Sequence, residues 1–163
     1  MLKHRIGHRN ESRHRRHRIL ACLILACGAS VANAGVDGDM RSGYNTTLEE
    51  ASLGGGVLLA IGPSGNWFAN PNAEVIFRDS GDAGSINGDV HYDFPSNSSA
   101  TYWLGAGAAI VHRNPGSGNG NTDLGLNLLA GLGARTGKVR PFVQGRVTVM
   151  EDTEATILVG VRF

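Results

Sequence analysis

The last stretch of the chain, residues 153–163, alternates strictly between two kinds of side chain and limits the possible folds more than any other segment. One parity is entirely apolar and consists of Ala155, Ile157, Val159, Val161 and Phe163. The other parity is small or polar apart from Leu158. Because successive side chains of a β-strand point to opposite faces, this pattern predicts a final strand with one apolar face, ending on an aromatic residue.

Six earlier segments show the same two-faced pattern, and helical periodicity is not sustained for two turns between them. They are residues 51–61, 66–78, 85–94, 101–112, 121–135 and 139–150. A weaker eighth segment lies between Gly38 and Leu48, where Met40 and Tyr44 share the parity of Leu48. An antiparallel barrel whose termini meet on one side needs an even number of strands. We therefore predict an all-β protein, an antiparallel up-and-down transmembrane β-barrel of eight strands.

The beginning of the chain has the composition of an export signal. A basic segment, 1–18, precedes an apolar run, 19–27, and the small-residue site Ala32-Asn33-Ala34. That order predicts a secretory signal peptide at residues 1–34, removed after Ala34, and a barrel domain at residues 35–163. Two other interpretations stay open, namely a basic nucleic-acid-binding arm and a lipidated Cys27.

Removal of the predicted signal changes the sign of the net charge. The whole chain carries +1, whereas the part after Ala34 has thirteen carboxylates against eight Lys and Arg, a net charge of −5. Nucleic acid is therefore not an expected partner. Both cysteines, Cys22 and Cys27, lie in the predicted signal, so the predicted barrel contains no disulfide. The sequence contains no run of eighteen apolar residues, so it predicts no transmembrane helix.

Alternation alone does not decide whether the apolar faces meet lipid or a soluble core. Residues 35–163 contain one lysine, Lys138, although soluble β-proteins usually cover their surfaces with charge. The other face is rich in Gly, Ala and Asn, which suits a narrow barrel interior. Outward aromatic residues gather at strand ends on one side, and these are Trp67, Tyr92, Phe94, Tyr102 and Phe163. They predict an aromatic girdle at one membrane interface.

The connections are predicted to alternate between the two ends of the barrel. Those at the inner end, with the termini, are 63–65, 95–100 and 136–138. Those at the outer end are 49–50, 79–84, 113–121 and 151–152, so the longest loop is expected there.

With its terminal strand ending at Phe163, the pattern over residues 38–163 resembles the small eight-stranded outer-membrane β-barrel proteins of the OmpA-barrel and OmpX type. The resemblance implies a location in the bacterial outer membrane, with outer-membrane lipid around the barrel. It also implies that the barrel-assembly machinery recognises the C-terminal strand ending at Phe163. It is carried by the strand pattern and the terminus, and by no internal motif.

Asp89, His91 and Asp93 share one face of one segment, and their side chains are of metal-ligating types. Alternate residues of a strand stand roughly 7 Å apart, too far for three ligands on one ion without help from other strands. We therefore expect no metal and no cofactor, and instead an interior network of ion pairs. Its expected members are the acids Glu74, Asp89, Asp93, Asp123 and Glu154 with Arg78, Arg135, Arg140, Arg146 and Arg162.

His112 invites comparison with the outer-membrane lipid A deacylases, small barrels that use a His and a Ser for acyl transfer. That family's pattern places the serine two residues after the histidine, and here the position is Asn114. Ser117 lies in a glycine-rich loop instead. Because the nucleophile is missing, we expect no catalytic site and no enzymatic activity.

The expected function is that of a non-enzymatic outer-membrane β-barrel with a closed polar interior and a structural or interaction role in the cell envelope. Eight strands leave room only for side chains inside, which argues against an open channel. The alternative is a secreted, lipocalin-like soluble β-barrel that binds a small apolar ligand. Solubility without detergent distinguishes the two, because the second places its apolar side chains inside.

Overall fold

The computed structural model describes residues 36–116 and 119–163, and every regular element within them is a β-strand. The strands are β1 (Val36–Asn45), β2 (Glu50–Ile61), β3 (Trp67–Phe77), β4 (Asp82–Asp93), β5 (Ala100–Asn114), β6 (Asn121–Ala134), β7 (Arg140–Val149) and β8 (Glu154–Arg162). Each strand pairs antiparallel with its neighbours in sequence, and β1 pairs with β8 to close the barrel. This confirms the predicted all-β fold of eight strands. The predicted signal peptide, with Ala34 and Cys27, lies outside the described residues.

The weakest predicted strand forms, but its bounds differ from the prediction. β1 begins at Val36 and ends at Asn45, whereas the sequence pattern suggested Gly38 to Leu48. The side-chain oxygen of Asn45 accepts hydrogen bonds from the backbone nitrogens of Thr47 and Leu48, at 2.9 and 3.0 Å. This local turn ends the strand before Leu48, because asparagine side chains can substitute for a backbone acceptor in turns.

We call the barrel end that carries both described termini the inner end, and the opposite end the outer end. Connections 62–66, 94–99 and 135–139 lie at the inner end, and 46–49, 78–81, 115–120 and 150–153 lie at the outer end. The predicted alternation is therefore confirmed. The predicted long outer loop 113–121 is wrong in length, because Arg113 pairs with Asn121 and His112 with Thr122. These pairs extend β5 and β6, and leave an outer loop no longer than the inner one at 94–99.

The two faces of the wall have opposite chemistry. Large apolar side chains cover the outside, and the most exposed of them is Leu124 at 75%. Other outward side chains that are more than half exposed include Leu126, Ile86, Leu128, Leu104, Leu132, Phe77, Ile157 and Val159. Buried positions are mostly Asn, Ser, Thr, Arg, Asp and Glu. The hydrophobic side chains that a soluble barrel places inside therefore lie on the outer surface of this one. None of the described residues belongs to a helix long and apolar enough to cross a membrane.

The predicted cluster of aromatic residues forms at the inner end. The ring of Trp67 lies 5.1 Å from that of Tyr92, Tyr92 lies 5.4 Å from Phe94, and Phe94 lies 5.8 Å from Tyr102. These contacts make a continuous aromatic band on the outside of β3, β4 and β5. Phe163 lies at the same end, where its backbone pairs with Gly38 across the closing seam.

Candidate functional site in the barrel interior

The centre of the interior is crossed by one ion pair. Arg146 on β7 donates two hydrogen bonds of 2.8 Å to the two carboxylate oxygens of Glu74 on β3. In a closed ring of eight strands, β3 and β7 lie on opposite sides, so this pair spans the full width of the barrel. Both residues are buried. Two parallel hydrogen bonds fix both the distance and the orientation of the pair.

A polar layer extends from this pair toward the inner end on the side of β1 and β3. Arg41 donates 2.7 Å hydrogen bonds to Asp39 and to the side-chain oxygen of Asn70. Asn70 donates in turn to Asp39 at 3.0 Å and to the backbone oxygen of Val57 at 2.9 Å. The Val57 bond matters because Pro71, which faces β2 nearby, has no N–H to offer. The side chain of Asn70 therefore supplies a donor that the strand itself lacks.

Amide side chains continue the layer through β4, β6 and β7. Asp89 accepts hydrogen bonds from Asn127 at 2.8 Å and from Asn72 at 3.1 Å. Thr148 donates to Asn127 at 2.8 Å. Asp89 was expected to pair with an arginine, but these two amides satisfy it in the structure. The carboxylates and amides of the layer are thus hydrogen-bonded, as burial of polar groups requires, whereas the Nε atom of Arg146 is buried without a partner among the described residues.

A second group of ion pairs lies at the outer end. Arg113 pairs with Glu154 and, at 3.3 Å, with Asp123. Arg78 pairs with Glu50 at 2.5 Å. Asn45 donates a 2.8 Å hydrogen bond to Glu154. These contacts connect β1, β2, β5, β6 and β8 around the outer opening.

The predicted network is therefore confirmed in part. Two of the pairs join an acid and an arginine that were both predicted to belong to the network: Glu74 pairs with Arg146, and Asp93 lies 3.9 Å from Arg162. Arg135 was expected in an ion pair but donates to the backbone oxygen of Ser96. The sequence interpretation missed five participants, namely Asp37, Asp39, Arg41, Glu50 and Arg113. Four of these lie in segments assigned to a weak strand, to its flank or to a turn, and Arg113 was assigned to a loop.

Two aromatic rings and a leucine pack together in the inner half of the barrel, and we call this cluster the aromatic plug. Trp103, Leu129 and Phe142 form a buried cluster, and Trp103 is only 1% exposed. Its indole nitrogen donates to Gln144 at 3.0 Å. The guanidinium carbon of Arg162 lies 4.0 Å from the centroid of the Trp103 ring, within the range of a cation–π contact.

Two residues that interrupt the alternation in β3 also point inward. The ring of Phe68 stacks on His91 at 5.6 Å, and His91 lies 5.8 Å from Trp103. Ile76 lines a small cavity near the outer end. Their inward position explains why an otherwise polar parity contains apolar side chains.

Asp89, His91 and Asp93 do not converge on one point. Asp89 belongs to the amide layer, His91 lies between the rings of Phe68 and Trp103, and Asp93 lies 3.3 Å from the His91 Nε2 atom. Among residues 36–116 and 119–163, no group of three His, Cys, Asp or Glu side chains could hold a metal ion.

His112 lies on the outside of the barrel. Its ring nitrogen Nδ1 makes a 2.9 Å hydrogen bond with the hydroxyl of Thr122, its cross-strand partner on β6. Asn114 accepts a hydrogen bond from the backbone of Gly116. Ser117 lies outside the described residues. His112 is thus held by a neighbouring hydroxyl on an outward face, at the outer end of the wall.

Cavities lined by the described residues include two inside the barrel. One, of about 30 Å³, lies beside Glu74 and Arg146 and is lined mainly by polar side chains. The other, of about 150 Å³, lies at the inner end beneath the ends of β6, β7 and β8. It is separated from the first by the aromatic plug and the central ion pair.

The same architecture occurs in solved outer-membrane barrels. The N-terminal β-barrel domain of Pseudomonas aeruginosa OprF is similar with a TM-score of 0.65 and 15% identity, over 78% of this chain and 96% of that one. Neisserial surface protein A (NspA) is similar with a TM-score of 0.58 and 16% identity, over 78% and 92% of the two chains. The de novo designed TMB2.3 is similar with a TM-score of 0.51 and 12% identity, over 82% and 96%.

These similarities confirm the resemblance to small eight-stranded barrels. Identities this low establish the fold, and function must be argued from the site. No protein-family model matches the chain, and the search of curated proteins gives no match.

Proposed function

We propose that this protein is a bacterial outer-membrane β-barrel with a closed interior and a non-catalytic, structural or interaction role in the cell envelope. The observation that carries the proposal is the pair of 2.8 Å hydrogen bonds between Glu74 and Arg146. Because this pair joins opposite walls at mid-barrel, and the hydrogen-bonded side chains of Asp89 and Asn127 lie beside it, we expect no continuous path for ions while the pair is intact. The interior then serves to hold the wall in place.

The apolar outer surface supports the membrane location. Mid-strand side chains such as Leu128, Leu126 and Ile86 are more than half exposed, which is a costly arrangement in water. The aromatic band of Trp67 and Tyr102 marks one edge of this surface, as in membrane barrels. The folds of OprF and NspA add support by similarity.

The chemistry of the interior supports a role without catalysis. The buried acids Glu74 and Asp89 are held by hydrogen bonds from Arg146 and from asparagine side chains. His112, which invites comparison with the catalytic histidine of the lipid A deacylases, lies on the outer surface beside Thr122. A carboxylate fixed in an ion pair is poorly placed to act as a nucleophile or base.

The alternative, a lipocalin-like soluble barrel with an apolar ligand, has less support. Pockets for small molecules are mostly apolar and measure roughly 300–1,000 Å³. The larger cavity measures about 150 Å³ and is lined by three arginines and two aspartates. An apolar ligand there would contact Leu58, Phe68, Phe94 and Ala134, but it would also remove water from the five charged side chains, which is costly.

Two partners follow from the proposal. Outer-membrane lipid covers the apolar surface, and the barrel-assembly machinery recognises the C-terminal strand that ends at Phe163. Export through the signal peptide at residues 1–34 is part of the same proposal. The net charge of −5 on residues 35–163 supports the absence of nucleic acid among the partners.

Fractionation of cells with and without detergent tests the location. We expect the folded protein in the membrane fraction and its release only by detergent, whereas release by buffer alone would favour the lipocalin-like alternative. Planar-bilayer recordings test the closed interior. We expect no steady conductance from the unaltered protein, and a stable ohmic channel would refute the closure.

A further inference from the structure

The cavity of about 150 Å³ at the inner end, which we call the inner vestibule, is lined by Arg135, Arg140 and Arg162. Polar side chains of Asn66 and Thr101 and the ring of Phe68 complete much of its wall. A cavity needs roughly 10–15 Å³ of such volume to hold one water molecule, so the vestibule has room for several waters or for one small oxyanion. The first observation is therefore a basic cavity of the right size for a small anion.

Two of these arginines occupy directly opposite positions on neighbouring strands. Arg140 and Arg162 are cross-strand partners in the β7–β8 ladder. Like charges in this position destabilise a sheet, because their side chains are close together. A bound anion between the two guanidinium groups would remove that repulsion. The register thus provides a physical reason for a ligand, independent of the size of the cavity.

The carboxylates in the vestibule satisfy these arginines incompletely. Asp37 pairs with Arg140 at 2.5 Å, but its side chain is 39% exposed, and the Nε atom of Arg140 is buried without a hydrogen-bond partner among the described residues. Asp93 lies 3.9 Å from Arg162, which is beyond hydrogen-bond distance. Three arginines against two aspartates leave an excess of one positive charge in the vestibule.

Arg162 is preorganised for such a contact. It is only 8% exposed, and its guanidinium carbon lies 4.0 Å from the centroid of the Trp103 ring and 5.4 Å from that of the Phe142 ring. These two rings restrict the position of the guanidinium group, whose N–H groups suit planar, bidentate acceptors. Arg135, at the exposed rim, is held by the backbone oxygen of Ser96.

The charge distribution of the whole barrel points the same way. The outer end carries eight carboxylates and two arginines, whereas the inner end carries four cationic residues and two aspartates. The outer carboxylates are Glu49, Glu50, Asp79, Asp82, Asp123, Glu151, Asp152 and Glu154. An anion is therefore attracted to the inner end and repelled from the outer one.

From the cavity, the register and this charge distribution, we infer that the inner vestibule binds a small oxyanion, a carboxylate or phosphate group that enters from the inner end. The anion lies between Arg140 and Arg162, with Arg135 at the entrance. In the proposed outer-membrane orientation this end faces the periplasm, but the binding itself depends only on the barrel.

Binding is tested on the protein purified from cells expressing the full chain and held in octyl glucoside, because phosphocholine detergents would themselves supply phosphate. Arginine Nε–H resonances are followed by NMR during titration with sodium phosphate or sodium acetate, at an ionic strength matched with sodium chloride. We expect the Arg140 and Arg162 signals to shift saturably with at least one oxyanion and not with chloride. Saturation by phosphate alone identifies a phosphate ligand, and saturation by acetate identifies a carboxylate ligand.

Three variants connect binding to the vestibule. Arg162→Gln and Arg135→Gln each remove one charge-assisted contact and should weaken the anion about tenfold. Lys138→Gln removes an equal charge from a neighbouring turn outside the vestibule, and should change the affinity less than about twofold. If Arg162→Gln does not fold, Arg135→Gln decides the question, because Arg135 is exposed at the rim.

A linear response that equals that of chloride would overturn the inference, and so would equal weakening by Lys138→Gln and Arg135→Gln. Either result would indicate general screening of a basic surface. These outcomes are independent of the proposed function, since fractionation and conductance do not involve the vestibule.

Discussion

Gly131 on β6 is the direct cross-strand partner of Trp103 on β5, and the indole lies over its α-carbon. A methyl group added at Gly131 would stand 2.7 Å from the indole Nε1 atom, which is closer than van der Waals contact allows. The absence of a side chain on β6 is thus what lets the largest buried ring fill the inner half of the barrel.

Gly131→Ala should therefore destabilise the barrel. The added methyl must displace a ring fixed by Gln144 and by Arg162, and overpacking of this kind costs about 1–3 kcal/mol. Gly145→Ala is the matched control, because a methyl there meets only the Ala130 oxygen at 4.0 Å. The free energy of unfolding in urea, measured in detergent micelles, should fall for Gly131→Ala alone. Equal losses for both would show that the effect comes from the strand backbone and not from Trp103.

The central ion pair should behave as a unit. Replacing either partner, as in Glu74→Gln or Arg146→Met, leaves a buried polar group without its partner and should cost about 3–5 kcal/mol. The double variant should cost less than the sum of the two, because no orphaned charge remains. Asp37→Asn breaks a partly exposed pair and should cost at most about 1 kcal/mol. Additive losses in the double variant would contradict direct coupling between Glu74 and Arg146.

The variant Arg146→Met also tests whether the lumen is closed. Arg146→Met replaces a bidentate guanidinium with an apolar chain that cannot bond to Glu74. We expect brief conductance events from this variant in planar bilayers, against none from the unaltered protein. If neither Arg146→Met nor the unaltered protein conducts ions, the amide layer around Asp89 and Asn127 is sufficient to close the barrel.

The depth of the apolar surface can be measured by charge insertion. Leu128 lies near the middle of β6 and Leu124 near its outer end, and both side chains face outward. Leu128→Arg should make folding into lipid vesicles less favourable by about 2–4 kcal/mol, and Leu124→Arg by about 0–1 kcal/mol, since the cost of a charge falls toward the interface. Equal costs in both would argue against a bilayer centred on the strand.

Phe163 is expected to act in assembly as well as in packing. Its ring lies close to Gly38, where an added methyl would stand 2.7 Å from the ring. Removal of Phe163 should therefore lower the free energy of unfolding by roughly 1.5–3 kcal/mol through lost burial. A chain that ends at Arg162 should reach the outer membrane poorly and yet refold into micelles with only that loss. Equal defects in cells and in micelles would show that Phe163 contributes packing only. Normal assembly in cells would show that Phe163 is not a recognition signal.

The number of strands, the face of each side chain and the position of the aromatic band were predictable from the sequence. All three depend on the period of two residues along a strand, which is a local property of the backbone. Phe68 and Ile76 interrupt the alternation of β3, and only the structure shows that both side chains point inward. The bounds of β1 were less predictable, because one hydrogen-bonding side chain, that of Asn45, determines where the strand ends.

The partners of the buried charges were decided by the tertiary structure alone. Glu74 and Arg146 are 72 residues apart, and only closure of the barrel brings β3 opposite β7. Composition indicated that acids and arginines would pair, but the choice of partner depends on which strands face each other and at what height. For the same reason the sequence showed three arginines near the inner end without showing that Arg140 and Arg162 are direct neighbours: that proximity is set by the β7–β8 register, which the order of residues along one strand does not contain.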